Sequence, residues 1–217
     1  MEYPIRINKY LRGKGFASRR EADKLVEDGL VFINDRKAEN GMLVNEKDKV
    51  EVKGKTKEYQ YLAYYKPRGL ATQNLAGKKS VVDDWSKRGL YPIGRLDKES
   101  EGLLLLTNDG RFTTEVLSEN PKYEKEYVVK VKEPLRKGIE AIFKKGMQTK
   151  SLGSLLPAKA KIINKTTMSV ILNEGKRHQI RVMLSELRYT IESLKRIRIG
   201  DIKLGDLKPG QTRPIDK

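Results

Sequence analysis

Cysteine is absent from the 217-residue sequence, and histidine occurs once, at His178. Disulfides, thiolate catalysis and cysteine-ligated metal sites are therefore excluded, and one histidine cannot build a histidine-rich metal site. No apolar run in the sequence approaches the roughly 20 residues that a membrane helix requires. The N-terminus also lacks the apolar core of a signal peptide. We therefore expect a cytoplasmic protein.

Acidic residues are few in comparison with basic ones. The sequence has 46 Lys and Arg against 29 Asp and Glu, a formal net charge of +17. A protein this basic usually binds a polyanion, although a solvated basic surface is the alternative. Residues 1–58 hold 14 basic and 11 acidic residues, a net of +3, which leaves +14 for residues 59–217. A nucleic-acid partner must therefore contact the second part of the chain.

Residues 1–53 predict a small domain of two helices and short strands. Apolar residues at helical spacing predict a first helix over residues 6–14. Ser18 and Glu21 have the spacing of a capping box, which predicts the start of a second helix. A short strand over residues 30–34 and a turn at 34–35 follow. The polar residues 54–58, which include a glycine, predict a linker.

The second helix begins with two arginines. Its N-terminus combines free backbone N–H groups and the positive end of the helix dipole with Arg19 and Arg20, and Lys24 lies one turn further on. This combination predicts a phosphate site, unless the arginines are simply solvated. The order of residues in segments 6–11, 17–22 and 29–34 resembles the S4 RNA-binding domain. That resemblance implies that Arg19, Arg20, Lys24 and Asn34 contact structured RNA.

Residues 59–217 predict a second, larger domain. Strands are expected over residues 59–65, 102–107, 126–131, 160–163 and 168–172, and helices over 111–117 and 180–187. The order is not a regular alternation of strands and helices, so a doubly wound sheet is not expected. We predict an α+β fold with a mixed, mostly antiparallel central sheet.

The stretch 94–97 (Gly-Arg-Leu-Asp) forms a loop before a leucine-rich strand. An aspartate there is usually a turn residue, so Asp97 alone does not indicate catalysis. Its neighbours Arg95 and Lys98 would hold the carboxylate in its charged form. Residues 125–127 (Lys-Glu-Tyr) and 177–181 (Arg-His-Gln-Ile-Arg) offer further partners. Propensity alone, however, places a strand tyrosine in the core and a helix arginine at the surface.

These motifs, together with residues 66–69 (Lys-Pro-Arg-Gly), resemble those of pseudouridine synthases over residues 59–215. With the S4 domain, they point to the branch named for the ribosomal small-subunit pseudouridine synthase A. Residues 93–110 and 124–129 look most similar to the large-subunit pseudouridine synthase F group. The resemblance implies isomerisation of uridine to pseudouridine in structured RNA. It favours 23S-type over 16S-type ribosomal RNA, with tRNA as a further substrate class.

The resemblance also assigns roles to single residues. Asp97 would be the nucleophile that lets uracil leave C1′, turn and rejoin through C5. Tyr127 would take part in removing the C5 proton or pack on the base, and Arg181 would pair with Asp97 through two hydrogen bonds. Ile180 would pack against the flipped uracil, and Arg95 would fill the gap left in the RNA. The isomerisation is redox-neutral, so neither a metal nor an organic cofactor is expected. We also expect the protein to be a monomer.

The alternative is a non-catalytic RNA-binding or ribosome-assembly protein with a decayed synthase domain. Intact Asp97, Tyr127 and Arg181 favour the enzyme. A glycosidase-like hydrolase would need two cooperating carboxylates, and no second motif provides them. Val182 stands where this branch often has a second basic residue, and residues 186–190 lack an expected glycine. The target uridine is therefore not identified from the sequence.

Overall fold

The structure is a computed structural model that describes residues 2–54, 58–73, 79–118 and 121–216. It divides into two units, Met1–Tyr59 with Asn108–Glu115, and Gln60–Thr107 with Val116–Lys217. Residues 108–115 thus group with the first unit, whereas the sequence analysis assigns them to the second domain. The domain boundaries at residues 53 and 59 stay predictions. Residues 55–57 of the predicted linker lie outside the described residues.

The first unit packs two helices with two small β-sheets. Its elements are β1 (Ile5–Arg6), α1 (Ile7–Gly13), α2 (Arg19–Glu27), β2 (Val31–Ile33), β3 (Arg36–Lys37), β4 (Leu43–Val44) and β5 (Val50–Val52). Strand β1 pairs with β4, and β2 lies between β3 and β5. The helices bury apolar residues at helical spacing, Ile7 and Leu11 on α1 and Ala22 and Val26 on α2. Both predicted helices are present within one or two residues.

Local hydrogen bonds fix the ends of these elements. The backbone N–H of Ser18 donates to the Glu21 carboxylate at 3.0 Å, which is the predicted capping interaction at the start of α2. Asn34 and Asp35 both have positive φ, at 49° and 63°. This left-handed pair forms the two-residue turn that joins β2 to β3.

The remaining elements follow in chain order. They are β6 (Tyr61–Lys66), α3 (Val81–Trp85), β7 (Tyr91–Ile93), β8 (Glu101–Thr107), α4 (Gly110–Leu117), β9 (Lys125–Val131), α5 (Ile139–Lys145), β10 (Met147–Thr149), β11 (Gly153–Leu155), β12 (Lys159–Asn164), β13 (Thr167–Leu172), α6 (Gln179–Glu186), β14 (Ile191–Ile199), β15 (Ile202–Lys203) and β16 (Thr212–Pro214). Over the described ranges, no helix is both long and apolar enough to cross a membrane.

A nine-stranded sheet is the frame of the second unit. Its main path runs in the order β12-β13-β9-β14-β8-β6-β16, with β7 added beside β8 and β15 beside β14. Strands β8 and β14 pair in parallel, and the other neighbours among the described strands pair antiparallel. The predicted α+β class with a mixed, mostly antiparallel sheet is confirmed.

Strand β14 lies inside this sheet and was not among the predicted strands. Its sequence does not alternate cleanly between apolar and polar residues, because Arg196 is buried beside Leu194 and Ile199. A register shift between Arg196 and Arg198 interrupts the period again. The short helices α3 and α5 and the hairpin β10–β11 were not predicted either.

Two apolar clusters hold the second unit together. In the larger one, α5 and α6 pack on β9 and β13 through buried residues that include Phe143, Met183, Val129 and Val170. In the smaller one, Leu96 packs with residues of β6, β8 and α3. Because the Leu96 side chain is buried in this cluster, it anchors the start of the loop that follows it.

Gly102 allows the close pairing of β8 and β14. Its φ is +103°, and a Cβ added there would lie 2.3 Å from the carbonyl oxygen of Arg196. Gly102→Ala should therefore lower the free energy of unfolding. The left-handed conformation should cost the alanine about 1–2 kcal/mol, and the displacement of neighbouring atoms should cost about 1–3 kcal/mol more. Urea unfolding of the purified wild type and variant measures the sum of the two contributions.

Gly138→Ala is the matched control, because Gly138 also has a positive φ, +87°, but an added Cβ would meet nothing within 4 Å. Gly138→Ala should lower the free energy of unfolding by the conformational cost alone. Equal losses for the two variants would show that the close approach at Gly102 does not matter.

Candidate active site

The loop between β7 and β8 carries Asp97 and is fixed from two directions. The Leu96 N–H donates to the Thr72 hydroxyl oxygen at 3.0 Å, and the Thr72 hydroxyl donates to the Leu96 carbonyl at 2.7 Å. Gly94 has φ +71°, and a Cβ there would lie 3.0 Å from the Leu117 side chain. Asp97 is therefore presented by a loop with little freedom to shift.

Asp97 forms an ion pair with Arg181 on α6. The Arg181 Nε lies 3.1 Å from Asp97 Oδ2, and its Nη2 donates to the Ser100 hydroxyl at 2.9 Å. The Ser100 hydroxyl lies 3.5 Å from the same Asp97 oxygen. The expected pairing is present, but Arg181 divides its donors between Asp97 and Ser100 instead of making two bonds to the carboxylate. Both side chains are about three-quarters buried, at 28% and 27% exposure.

His178 approaches the other oxygen of the same carboxylate. It precedes α6 in a left-handed conformation, with φ 57°, and its Nε2 lies 3.7 Å from Asp97 Oδ1. The family resemblance implies no role for His178 in the reaction. The structure puts it beside the candidate nucleophile, with 46% of its side chain exposed.

A cavity of about 810 Å³ opens beside Asp97. This volume lies within the range of small-molecule binding sites. Its charged lining is mostly basic, namely Arg95, Lys98, Lys125, Lys176, Arg177 and Arg196 against Asp97 and Glu174. Asp97 thus lies in a cavity whose charged lining carries a net positive charge.

The other residues of the predicted catalytic set lie at or near this cavity. Tyr127 lines it from β9 and packs against both apolar clusters of the second unit. Ile180 lines it from α6 while being 4% exposed, and Arg95 lines it with an exposed side chain. Arg181 is not among the lining residues and reaches Asp97 from the side of α6.

Lys66 is buried beneath the Asp97 loop, which the sequence does not indicate. Its Nζ donates to the carbonyls of Leu70 and Pro67 at 2.6 and 2.9 Å and lies 3.5 Å from that of Lys98. Burial lowers the pKa of Lys66 to about 8, and the negative charge of Asp97 partly opposes this shift. The ammonium group thus ties the segment after β6 to the loop that presents Asp97.

Two more polar residues at the cavity were not predicted. Arg196 on β14 is 5% exposed, and Asn173 follows the end of β13. Lys125 on β9, part of a predicted motif, has its pKa lowered by burial and then by the positive charge of Arg196. One buried cation, Arg196, and one partly buried cation, Lys125, therefore line the cavity.

The predicted RNA-contacting residues of the first unit divide into two groups. Arg19 is the first residue of α2, and Arg20 and Lys24 are exposed on the same helix. Asn34 has its side chain engaged within its own unit, since its amide donates to Asp48 at 2.8 Å and accepts from the Lys49 N–H at 2.9 Å. Asn34 thus has a structural role in the turn, and its contact with RNA stays a prediction.

Comparison with known proteins identifies the family of the chain. The model of the family described as RNA pseudouridylate synthase matches residues 60–186, and that of the S4 domain matches residues 5–50. The ribosomal large subunit pseudouridine synthase B of Bacillus subtilis (strain 168) is 38% identical, over 88% of this chain and 84% of that protein. The dual-specificity RNA pseudouridine synthase RluF of Escherichia coli (strain K12) is 34% identical, over 91% and 71%.

A solved structure agrees as well. A crystal structure of a pseudouridylate synthase superposes with a TM-score of 0.72 at 26% identity, over 98% of this chain and 96% of the other. An N-terminal S4 domain followed by this site defines an RNA-modifying enzyme. The chain belongs to the RNA pseudouridylate synthase family and is an isomerase, so both predicted resemblances are confirmed.

The lowered pKa of Lys66 predicts a pH dependence of stability. Between about pH 8 and 10.5 the unfolded chain keeps the Lys66 proton that the folded chain has lost, so the free energy of unfolding should rise with pH. The difference between the wild type and Lys66→Met should increase by up to about 3 kcal/mol across this range. Urea unfolding of both proteins from pH 7 to 10 measures it. A difference that stays flat or falls would contradict the buried ammonium.

Proposed function

We propose that the protein converts a specific uridine of ribosomal RNA to pseudouridine, with Asp97 as the nucleophile. The observation that carries this proposal is the Asp97–Arg181 ion pair at the edge of a basic cavity. A relative named as a ribosomal large subunit pseudouridine synthase favours large-subunit, 23S-type RNA over 16S-type RNA. A cytoplasmic, monomeric enzyme is consistent with this substrate.

The reaction rearranges one nucleotide without a net redox change. The bond from C1′ to N1 of uracil breaks, the base turns, and a bond from C1′ to C5 forms. C5 then loses a proton and N1 gains one. Asp97 would attack the sugar as the base leaves and would itself leave when C5 attacks. Tyr127, on the cavity floor, would pack on the base or help to remove the C5 proton.

A nucleophilic carboxylate must stay charged and correctly aimed in a partly closed site. Arg181 and Ser100 hold Asp97 Oδ2 from one side, while His178 lies near Oδ1. These contacts keep the carboxylate oriented before the substrate arrives, so little reorganisation is needed during the reaction.

The target base must leave its stack before it can reach this cavity, which costs a few kcal/mol. Phosphate contacts can supply that free energy. The cavity lining contributes exposed basic residues, among them Arg95, Lys98 and Arg177. Arg19, Arg20 and Lys24 of the first unit would add phosphate contacts on a second part of the RNA. Arg95 would occupy the gap left by the flipped base, and Ile180 would pack against it.

Asp97→Asn tests the nucleophile, because the amide keeps the shape but loses the charge. Pseudouridines are first mapped by carbodiimide primer extension in ribosomal RNA from cells with and without the gene. The missing site identifies the substrate. Asp97→Asn should then reduce formation at that site by at least about 10⁴-fold, with RNA affinity within a factor of about three.

Glu99→Gln is the matched control, since Glu99 is an exposed carboxylate two residues away in the same loop. It should leave the rate unchanged. Normal turnover by Asp97→Asn would remove Asp97 as the nucleophile. Unchanged pseudouridine maps in cells lacking the gene would favour the alternative, a non-catalytic RNA-binding protein.

Replacement of Arg19, Arg20 and Lys24 by Ala tests the proposed docking role of the first unit. Each lost phosphate contact should reduce the slope of log affinity against log salt by about 0.7–0.9. The triple variant should therefore bind the RNA about 10- to 100-fold more weakly near 0.1 M salt, with the single-turnover rate at saturating enzyme preserved. Filter binding over a salt series measures the slope.

A second triple variant, Lys137, Lys144 and Lys145 to Ala, removes the same charge from exposed positions of the second unit. It should change the affinity less. Equal losses for the two triple variants would mean that the net charge, and not the α2 site, determines binding.

A further inference from the structure

Arg196 is a buried arginine with an incomplete set of hydrogen bonds. Its side chain leaves β14 with 5% exposure, and its Nε donates to the carbonyl of Leu103 at 2.7 Å. Its Nη2 is buried and has no hydrogen-bond partner within the described part of the chain. Burial of an unsatisfied charged donor destabilises a protein, so a partner supplied by a ligand would explain why the site keeps it.

The strand register places Arg196 beside Tyr127. The two residues face each other directly in the antiparallel pair β9–β14, and directly opposed side chains lie on the same side of a sheet. Both line the cavity that Asp97 also lines. Arg196 therefore belongs to the floor of the candidate active site, although the reaction described above assigns it no role.

Asn173 is the second residue with an unused polar atom at this cavity. It follows Leu172, the last residue of β13, and lines the cavity between β13 and α6. Its Oδ1 is buried, and the described residues offer it no hydrogen-bond donor. Two residues that line the cavity thus carry one donor and one acceptor that lack a partner among the described residues.

We propose that Arg196 and Asn173 recognise the Watson–Crick edge of the target uracil. Arg196 Nη2 donates to a uracil carbonyl, and Asn173 Oδ1 accepts the hydrogen of N3. This inference rests on the proposed function, because it requires that a uridine enters the cavity. It assigns the recognition of the base to two residues that lie outside the recognised motifs.

The pair also accounts for a preference of uracil over cytosine. Uracil presents an N3–H donor next to carbonyl acceptors, whereas cytosine presents an unprotonated N3 next to an amino group. A cytosine in the same position would direct its N3 lone pair at Asn173 Oδ1 and, where Arg196 binds position 4, its amino group at the Arg196 guanidinium. A site that leaves buried polar groups unpaired with the wrong base discriminates strongly against it.

The charge of Arg196 has a second consequence for the reaction. When the C1′–N1 bond breaks, its electron pair goes to N1 and is delocalised onto O2 and O4 of the ring. A guanidinium beside one of these oxygens binds the departing base more tightly than the intact uridine, which lowers the barrier. Lys125 adds positive charge to the same floor.

The first test uses base analogues with the wild-type protein, so that folding is not in question. The probe is an RNA oligonucleotide that carries the uridine mapped in cells, with 3-methyluridine in its place. Loss of the N3–H should lower the single-turnover rate about 10- to 100-fold. In Asn173→Ala the ratio between the two oligonucleotides should fall below about fivefold. Equal rates on both in the wild type, or an unchanged ratio in the variant, would overturn the role of Asn173.

The second test addresses Arg196. Arg196→Met should lower the single-turnover rate about 100- to 1000-fold while the RNA dissociation constant stays within about threefold. Arg198→Met is the control, because Arg198 bonds to Glu124 and Glu126 and does not line the cavity. It should lower stability and leave the rate near the wild-type value. A normal rate in folded Arg196→Met would exclude the base contact.

If Arg196→Met does not fold, sulfur analogues in the wild type give the answer. In 2-thiouridine and 4-thiouridine one carbonyl oxygen at a time becomes a weaker acceptor. One of the two should slow the reaction at least about fivefold, and equal rates for both and for uridine would overturn the proposal. A wild-type protein that makes pseudouridine while these variants and analogues react normally removes only this inference. A wild-type protein that makes none removes the proposed function as well.

Discussion

The ion pair between Arg181 and Asp97 joins two segments that lie 84 residues apart in the chain, and the candidate site is arranged around it. Asp97 precedes β8, and Arg181 lies on α6, which precedes β14. Strands β8 and β14 pair in parallel, so their N-terminal ends lie at the same edge of the sheet. The one parallel pair among the described strands thus brings a loop and a helix together where the carboxylate needs its partner.

Positive charge has a cost in this part of the molecule. Lys66 and Lys125 both have a pKa lowered mainly by burial. Arg196 lies near them, and its Nε donates to the backbone carbonyl of Leu103. Such groups stabilise a fold poorly unless they are fully paired. Lys125 and Arg196 line the cavity, where the proposed reaction would bring a base with developing negative charge.

The sequence predicts α1, α2 and β13 because their apolar residues recur with a clean period, and it predicts β8 because that strand is a short run of leucines. It missed β14 because Arg196 occupies a buried position that alternation reserves for apolar residues. Asp97 and Arg181 were linked through family resemblance, since spacing alone does not bring two distant motifs together. Asn34 shows the converse case, in which a residue assigned to RNA also has a structural role in its own turn.

The burial of Lys66 and Arg196 was beyond sequence reasoning for a physical reason. A buried cation requires hydrogen-bond partners that replace water. Lys66 finds two of them in its own segment, the carbonyls of Pro67 and Leu70, but it also lies 3.5 Å from the carbonyl of Lys98. Arg196 bonds to Leu103 on the neighbouring strand. The contacts with Lys98 and Leu103 depend on the tertiary fold, which the local sequence does not reveal.

The short stretch 100–102 (Ser-Glu-Gly) contacts both the Arg181 side chain and the strand that carries Arg196. Ser100 holds Arg181, and two residues later Gly102 leaves room for the backbone of Arg196, which no side chain at that position would permit. The same short segment therefore sets the orientation of the Asp97 carboxylate and the distance at which β14 passes. The position of the buried arginine therefore follows from how closely two parallel strands can approach.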